Sequence, residues 1–210
     1  MNFIKSLLFG KSQEEFYTAC LIGNLEYMKT FNLDKIDIHD RDEFAFRWAC
    51  DNNYFEVAKW LLYIGDERKS PIDIHIKDES AFRLACCAHH HEIAEWLIEI
   101  GDERKSPIDI YISDNILFKI LYSKDDIKTA KWLYEISKKR ENPFIINGID
   151  FIQIQWLRCP NISRWFLTFY STKHIKEYLF EYPLAKEELE KRKRSKFEFF
   201  LYLSKNKKFK

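Results

Sequence analysis

The sequence predicts an all-α solenoid of about five helix–turn–helix repeats with a helical C-terminal cap, and three observations carry that prediction. A block of 36 residues recurs without gaps, each block holds two short stretches with apolar residues at helical spacing, and the outer copies degenerate, as terminal repeats do when they shield a stack from water.

Residues 45–80, AFRWACDNNYFEVAKWLLYIGDERKSPIDIHIKDES, align on residues 81–116, AFRLACCAHHHEIAEWLIEIGDERKSPIDIYISDNI, with 22 identities in 36 positions. In a third copy, Phe118, Ala130, Trp132, Leu133, Ile136 and Pro143 stand where Phe82, Ala94, Trp96, Leu97, Ile100 and Pro107 stand in the second. A preceding copy runs from Ala19 and Cys20, which match Ala49 and Cys50 at a step of 30, to IDIH at 36–39. A partial last copy holds PFIINGID at 143–150 and ISRWFL at 162–167.

Within one copy, Phe46, Ala49 and Cys50 fall at i, i+3 and i+4; after the DNNY turn, Val57, Ala58, Leu61 and Leu62 form a second stripe. Helices of about ten residues are marginal alone in water, so each stripe must be buried against the next copy. The expected core is Phe46, Ala49, Val57, Leu61, Phe82, Ala85, Ile93, Leu97, Phe118 and Leu133, with Trp60, Trp96 and Trp132 at the seam between copies and extended connectors around IDIH and IDIY. Residues 1–170 form the array with its N-terminal cap. Residues 171–210 form the C-terminal cap, in which LAKEELE, KRKRSK and FEFFLYL make one long helix with a charged face.

The chain is 46% hydrophobic and 32% charged, which supplies both a core and a solvated surface. Its net charge is only +1, so the molecule as a whole lacks the basic excess of a dedicated nucleic-acid binder. Positive charge is concentrated in residues 184–210, with ten Lys or Arg against four Glu. Five cysteines without a CxxC pair point to reduced thiols in a cytosolic or nuclear compartment, with the cytoplasm the expected location, and no apolar run reaches the roughly 20 residues of a membrane span.

These copies resemble the ankyrin repeat, whose pattern runs TPLHxAxxxGHLEVVKLLL and then GADVN. Residues 45–62, AFRWACDNNYFEVAKWLL, follow it from the proline of TPLH onward, and IDIH resembles the ADVN segment. Six extra residues between Leu62 and Asp73, and three fewer between His39 and Ala49, turn the usual period of 33 into 36. TPLH is replaced by FAFR or SAFR, which removes the Thr and His whose hydrogen bonds open the first helix in that family. The variant is similar to the ankyrin arrays encoded by giant DNA viruses of amoebae. The resemblance covers residues 14–170 and implies a non-catalytic, monomeric module that binds a host or viral protein through its concave face.

Positions that differ between adjacent copies are the candidate contacts: Trp48 and Leu84, Asp51 and Cys87, Lys77 and Ser113, with Arg41 near the same edge. No catalytic, cofactor-binding or metal site is expected. GKS at 10–12 has Lys5 where a phosphate loop needs glycine, and CCAHHHE at 86–92 occupies the positions of the CDNNYFE turn at 50–56. Asp73 and Asp109 recur with the repeat and are expected to cap helices or solvate loops, and GDERKSP at 65–71 and 101–107 to form a solvated loop. The alternative to protein binding is a nucleic-acid or chromatin tether acting through the basic tail, where Lys191, Arg192, Lys193 and Arg194 also resemble a nuclear import signal.

Overall fold

A computed structural model describes residues 12–110, 117, 120, 121, 123–140, 159–169, 172 and 183–206. The described residues are helical with irregular connectors, and no strand occurs among them. The chain divides into two compact units, Met1–Leu117 and Phe118–Lys210.

In the first unit, α1 (Gln13–Leu21) and α2 (Leu25–Met28) make the first hairpin, α3 (Asp40–Asp51) and α4 (Phe55–Glu67) the second, and α5 (Ile76–Cys87) and α6 (His91–Glu103) the third. The first helices pack in series, α1 on α3 and α3 on α5. Ser12 starts the unit with a capping box, its hydroxyl accepting from the Glu15 amide while the Glu15 carboxylate accepts from the Ser12 amide.

The hairpin turn is the same in four copies. The second residue after the first helix is left-handed at Gly23 (φ 66), Asn53 (φ 60) and His89 (φ 64), and Asp125 (φ 53) takes the same conformation in the second unit. These positions are separated by 30, 36 and 36 residues, the steps of the sequence repeat. In each, the next amide donates back across the turn: Asn24 to Ala19, Tyr54 to Ala49, His90 to Ala85 and Asp126 to Leu121, at 2.8–3.0 Å. That bond satisfies a helix-end carbonyl and fixes the reversal of the chain. Gly23 has a further reason to be glycine, because the Tyr54 ring lies 2.7 Å from where a Cβ would stand.

Burial follows the two predicted stripes. Phe46, Ala49, Val57, Leu61, Phe82, Ala85, Ile93, Leu97 and Leu133 are all at most 2% exposed, whereas Phe118 lies outside the described residues. Trp96 sits at a seam, its ring 5.1 Å from Phe55 and 6.3 Å from Phe46 of the preceding hairpin. GDERKSP is a loop only in part: Gly65–Glu67 and Gly101–Glu103 are the last residues of α4 and α6, with both glycines buried, and the segments that follow are anchored. At Gly65 a Cβ would meet the Ser70 carbonyl at 2.9 Å and the Ile72 amide at 3.0 Å, and Gly101 shows the same distances to Ser106 and Ile108. Each helix therefore ends against its own returning loop, which only glycine permits.

In the second unit, α7 (Ile127–Lys139) and α9 (Pro183–Asn206) both pack on α8 (Pro160–Leu167). The Asp125 carboxylate accepts from the amides of Asn161 (3.3 Å) and Ile162 (2.9 Å) and from the Asn161 side chain (2.6 Å), capping α8 from the turn before α7. Tyr134, Trp165 and Phe169 form an aromatic cluster with ring centroids 4.9–5.7 Å apart. The predicted terminal helix is present as α9, while PFIINGID at 143–150 lies outside the described residues.

Candidate functional site

Two features repeat on the first unit: a set of variable side chains on the first helices, and a network at the connectors that reading the sequence did not reveal.

The variable set occupies one end of α3 and α5. The Trp48 ring is half-buried and stacked on Phe44 (centroids 5.9 Å apart), and its Nε1–H donates to the Leu21 carbonyl at 3.3 Å. That carbonyl closes α1 beside Leu21 and Ile22, which are 41% and 63% exposed, so the indole borders an uncovered apolar edge. The sequence offered only a spare apolar pair after Cys20 as its signal. Asp51, Leu84 and Cys87 are half-buried, and the Asp51 carbonyl lies 3.0 Å from His90 Nε2. His90 thus ties one hairpin to the next instead of standing free within a histidine cluster.

Arg41 and Lys77 belong to a different part of the surface, the start of the first helices. Arg41 lies over the Tyr17 ring at 4.5 Å and pairs with Glu14 at 3.1 Å, and Lys77 pairs with Asp42 at 2.7 Å. The Lys77 ammonium holds the Asp42 carboxyl below the usual carboxylate range. Tyr17 donates to the Asp40 carboxylate, and burial together with that bond pushes its hydroxyl up to about 12. Ser113 lies outside the described residues.

The network begins with strained backbone. Arg41, Asp42 and Glu43 are all left-handed (φ 55, 57 and 59), and so are Lys77, Asp78 and Glu79 (φ 52, 58 and 56). A left-handed turn costs L-residues roughly 1–2 kcal/mol each, so it must be held. Arg47 holds the first by donating to the carbonyls of Asp42 (2.7 Å) and Arg41 (3.1 Å), and Arg83 repeats this on Asp78 (2.6 Å) and Lys77 (2.9 Å). The turn carries the Glu43 and Glu79 side chains inward, where they are 5% and 3% exposed.

Each buried carboxylate ties two connectors together. Glu43 Oε1 lies 2.8 Å from His39 Nδ1 and accepts from the Asp73 amide at 3.1 Å; Glu79 does the same with His75 (2.8 Å) and the Asp109 amide (3.2 Å). Gln13 stands at the corresponding place in the first hairpin, its Oε1 accepting from the Asp37 amide at 3.0 Å. The far side of each imidazole meets a serine, His39 Nε2 with Ser70 Oγ at 3.0 Å and His75 Nε2 with Ser106 Oγ at 2.8 Å. Asp37 and Asp73 accept from the His39 and His75 amides, both at 2.9 Å, closing a short turn before each first helix; neither caps the helix, since no side chain bonds the helix start at His39 or His75.

Each Ser–His–Glu line borders an open hollow. The first, about 450 Å³, is lined by residues 34–39 with Arg68 and Ser70; the second, about 510 Å³, by residues 71–75 with Asp66, Arg104 and Ser106. The line has the connectivity of a nucleophile relay, in which serine, imidazole and carboxylate are hydrogen-bonded in order. The donors that such chemistry needs for an oxyanion are engaged or missing. The Ser70 amide donates to the Gly65 carbonyl and the Ser106 amide to the Gly101 carbonyl, both at 2.9 Å, and each serine is followed by a proline without an N–H. The sequence did carry a trace of the network, a His four residues before a Glu in HDRDE and HIKDE; the third copy replaces His, Glu and Ser together by Tyr111, Asn115 and Asn142.

Burial pushes the Cys20 thiol up to about 12 and raises the Cys50 thiol as well. No group of three metal-ligating side chains occurs among the described residues, and none of their helices is long and apolar enough to cross a membrane. In the tail, Arg192 is turned inward, donating to Glu188 (2.8 Å), the Leu167 carbonyl (2.8 Å) and Thr172 (3.4 Å), and Lys193 pairs with Glu190 at 2.5 Å. Two of the clustered basic residues are therefore engaged within the protein.

Fold and site together define an all-helical protein built of repeated hairpins joined at their connectors. No family model, no curated protein and no solved structure matches the chain.

Proposed function

We propose that this chain is an ankyrin-type array that binds a host or viral protein through the exposed side of α1, α3 and α5 and catalyses no reaction. The observation that carries this reading is the contrast between two adjacent copies. Glycine, left-handed turn, arginine clasp and buried glutamate are the same in both, while Trp48 is replaced by Leu84 and Asp51 by Cys87. A backbone kept constant beneath a changing surface is the division of labour of a repeat scaffold. The repeated hairpin turn falls where the ankyrin pattern has its own interhelix turn, which favours that family. Trp48 beside exposed Leu21 and Ile22 supplies the aromatic anchor typical of interface hot spots. The serine lines are read as connectors, because the neighbouring amides that would stabilise an oxyanion are used elsewhere.

Affinity capture followed by titration of the recovered partner tests this. Trp48→Ala is expected to weaken binding at least about tenfold, roughly 1.4 kcal/mol. Changing Lys191 and Arg194 to Gln together, sparing the engaged Arg192, should leave it unaltered. The reverse pattern, with affinity collapsing between about 50 and 200 mM salt, would establish the basic tail as the binding element and nucleic acid as its partner.

A further inference from the structure

We propose that Ser70 and Ser106 are phosphorylation sites for a proline-directed serine/threonine protein kinase, and that His39 and His75 receive the phosphates. The inference goes beyond partner binding and does not depend on it.

Three observations meet at each serine. Both side chains belong to exposed residues of an identical Arg-Lys-Ser-Pro loop, and a residue before proline is biased toward the extended backbone that a kinase groove accepts. Each hydroxyl already lies 3.0 or 2.8 Å from an imidazole Nε2 whose Nδ1 is held by a buried carboxylate. In the third copy Ser, His and Glu are lost together, so the serine is retained only where its imidazole partner is.

The step balances. Ser70 Oγ forms a bond to the γ-phosphorus of ATP, the bond from that phosphorus to the β–γ bridging oxygen breaks, and ADP leaves. The hydroxyl proton is retained on His39 Nε2, which changes from acceptor to donor. The product is a line of charges alternating in sign: Glu43 carboxylate, His39 imidazolium and phosphate, each pair joined by a charge-assisted hydrogen bond. Around His39 the same hollow presents Lys35 and Arg68 with Asp34 and Asp37; around His75 it presents Arg104 with Asp66 and Asp73. The first hollow thus offers Lys35 and Arg68 beside the imidazole, whereas Arg104 in the second is already paired with Asp66 (2.7 and 2.8 Å) and would have to share itself with the phosphate.

The full chain is incubated with ATP and a purified proline-directed kinase, followed by intact mass, site mapping and NMR titration of the histidine rings. Two phosphoryl groups are expected, at Ser70 and Ser106, with one lost in Ser70→Ala and the other in Ser106→Ala. A phosphate placed beside each ring should displace the His39 and His75 titrations upward from those of the unmodified chain. Phosphate incorporated without movement of those titrations overturns the receiving role of the histidines. A folded chain left unmodified at both serines overturns the sites themselves, whether or not a peptide of residues 65–73 is phosphorylated.

Discussion

Replacing Glu43 by Ala should be among the most destabilising single changes in the first unit, and the neighbouring residues supply its internal controls. The carboxylate accepts from the His39 ring and the Asp73 amide while only 5% exposed. Hydrogen bonds to a charged group contribute about 1.5–3 kcal/mol each, and a buried donor left without an acceptor costs a comparable amount. Glu43→Ala should therefore cost about 3–5 kcal/mol. Glu43→Gln keeps an acceptor for the Asp73 amide, the arrangement Gln13 already makes with Asp37, but loses the charge beside His39. It should cost about half as much. Ser70→Ala removes one bond from an exposed residue and should cost about 0.5–1 kcal/mol. All three replacements keep an L-residue, so the strain at Glu43 is unchanged. Urea unfolding followed by circular dichroism gives the ranking from midpoints at constant slope. If Glu43→Ala proves no more costly than Ser70→Ala, the buried carboxylate is not the tie between connectors and the reasoning fails.

Three further outcomes can be checked on the same preparation. Asp78 is left-handed at φ 58 and its carboxylate makes no ion pair among the described residues, so Asp78→Gly should stabilise by about 0.5–1 kcal/mol; Asp42→Gly relieves the same strain but loses Lys77, and its gain should be smaller. Asp125→Ala removes the cap of α8 and should cost about 1–2 kcal/mol, measured by hydrogen exchange in the second unit. Because the Cys20 thiol is raised from 9.0 to about 12 on folding, its contribution is complete below pH 9 and is lost as the pH rises from 9 toward 12. Stability should then fall by about 1.4 kcal/mol per pH unit for that thiol, and Cys20→Ala should show a shallower alkaline slope.

The hairpins and their core were legible because they depend on periodicity. Phe46, Ala49, Leu61, Phe82 and Leu97 are buried because a helix repeats its face every 3.6 residues, and a duplicated block repeats its contacts. The connectors were not legible, because left-handed turns at Arg41–Asp42–Glu43 have no glycine or asparagine to announce them. Trp48 proved half-buried on Phe44, as an interface side chain can be, yet Arg41 and Lys77 turned out to be paired with Glu14 and Asp42. Substitution between copies marks a position as variable. It does not reveal whether its charge is already satisfied.

If the proposed ankyrin reading holds, the replacement of TPLH has its physical counterpart in the same connectors. Under the ankyrin reading, the family's Thr and His stabilise the start of a helix locally, within one repeat. Here the helix start is left-handed and held by Arg47 or Arg83, and His39 and Glu43 reach instead to Ser70 and Asp73 in the following connector. A local cap stabilises its repeat whether or not the neighbour is folded, whereas these bonds exist only when two adjacent copies are both in place. Coupling between neighbours, not the stability of each unit, is what makes a repeat stack unfold as one. The same connectors hold the segment after α4 in place: Gly65, Arg68 and Ser70 are each pinned, on Ile72, on the Ile36 carbonyl and on His39.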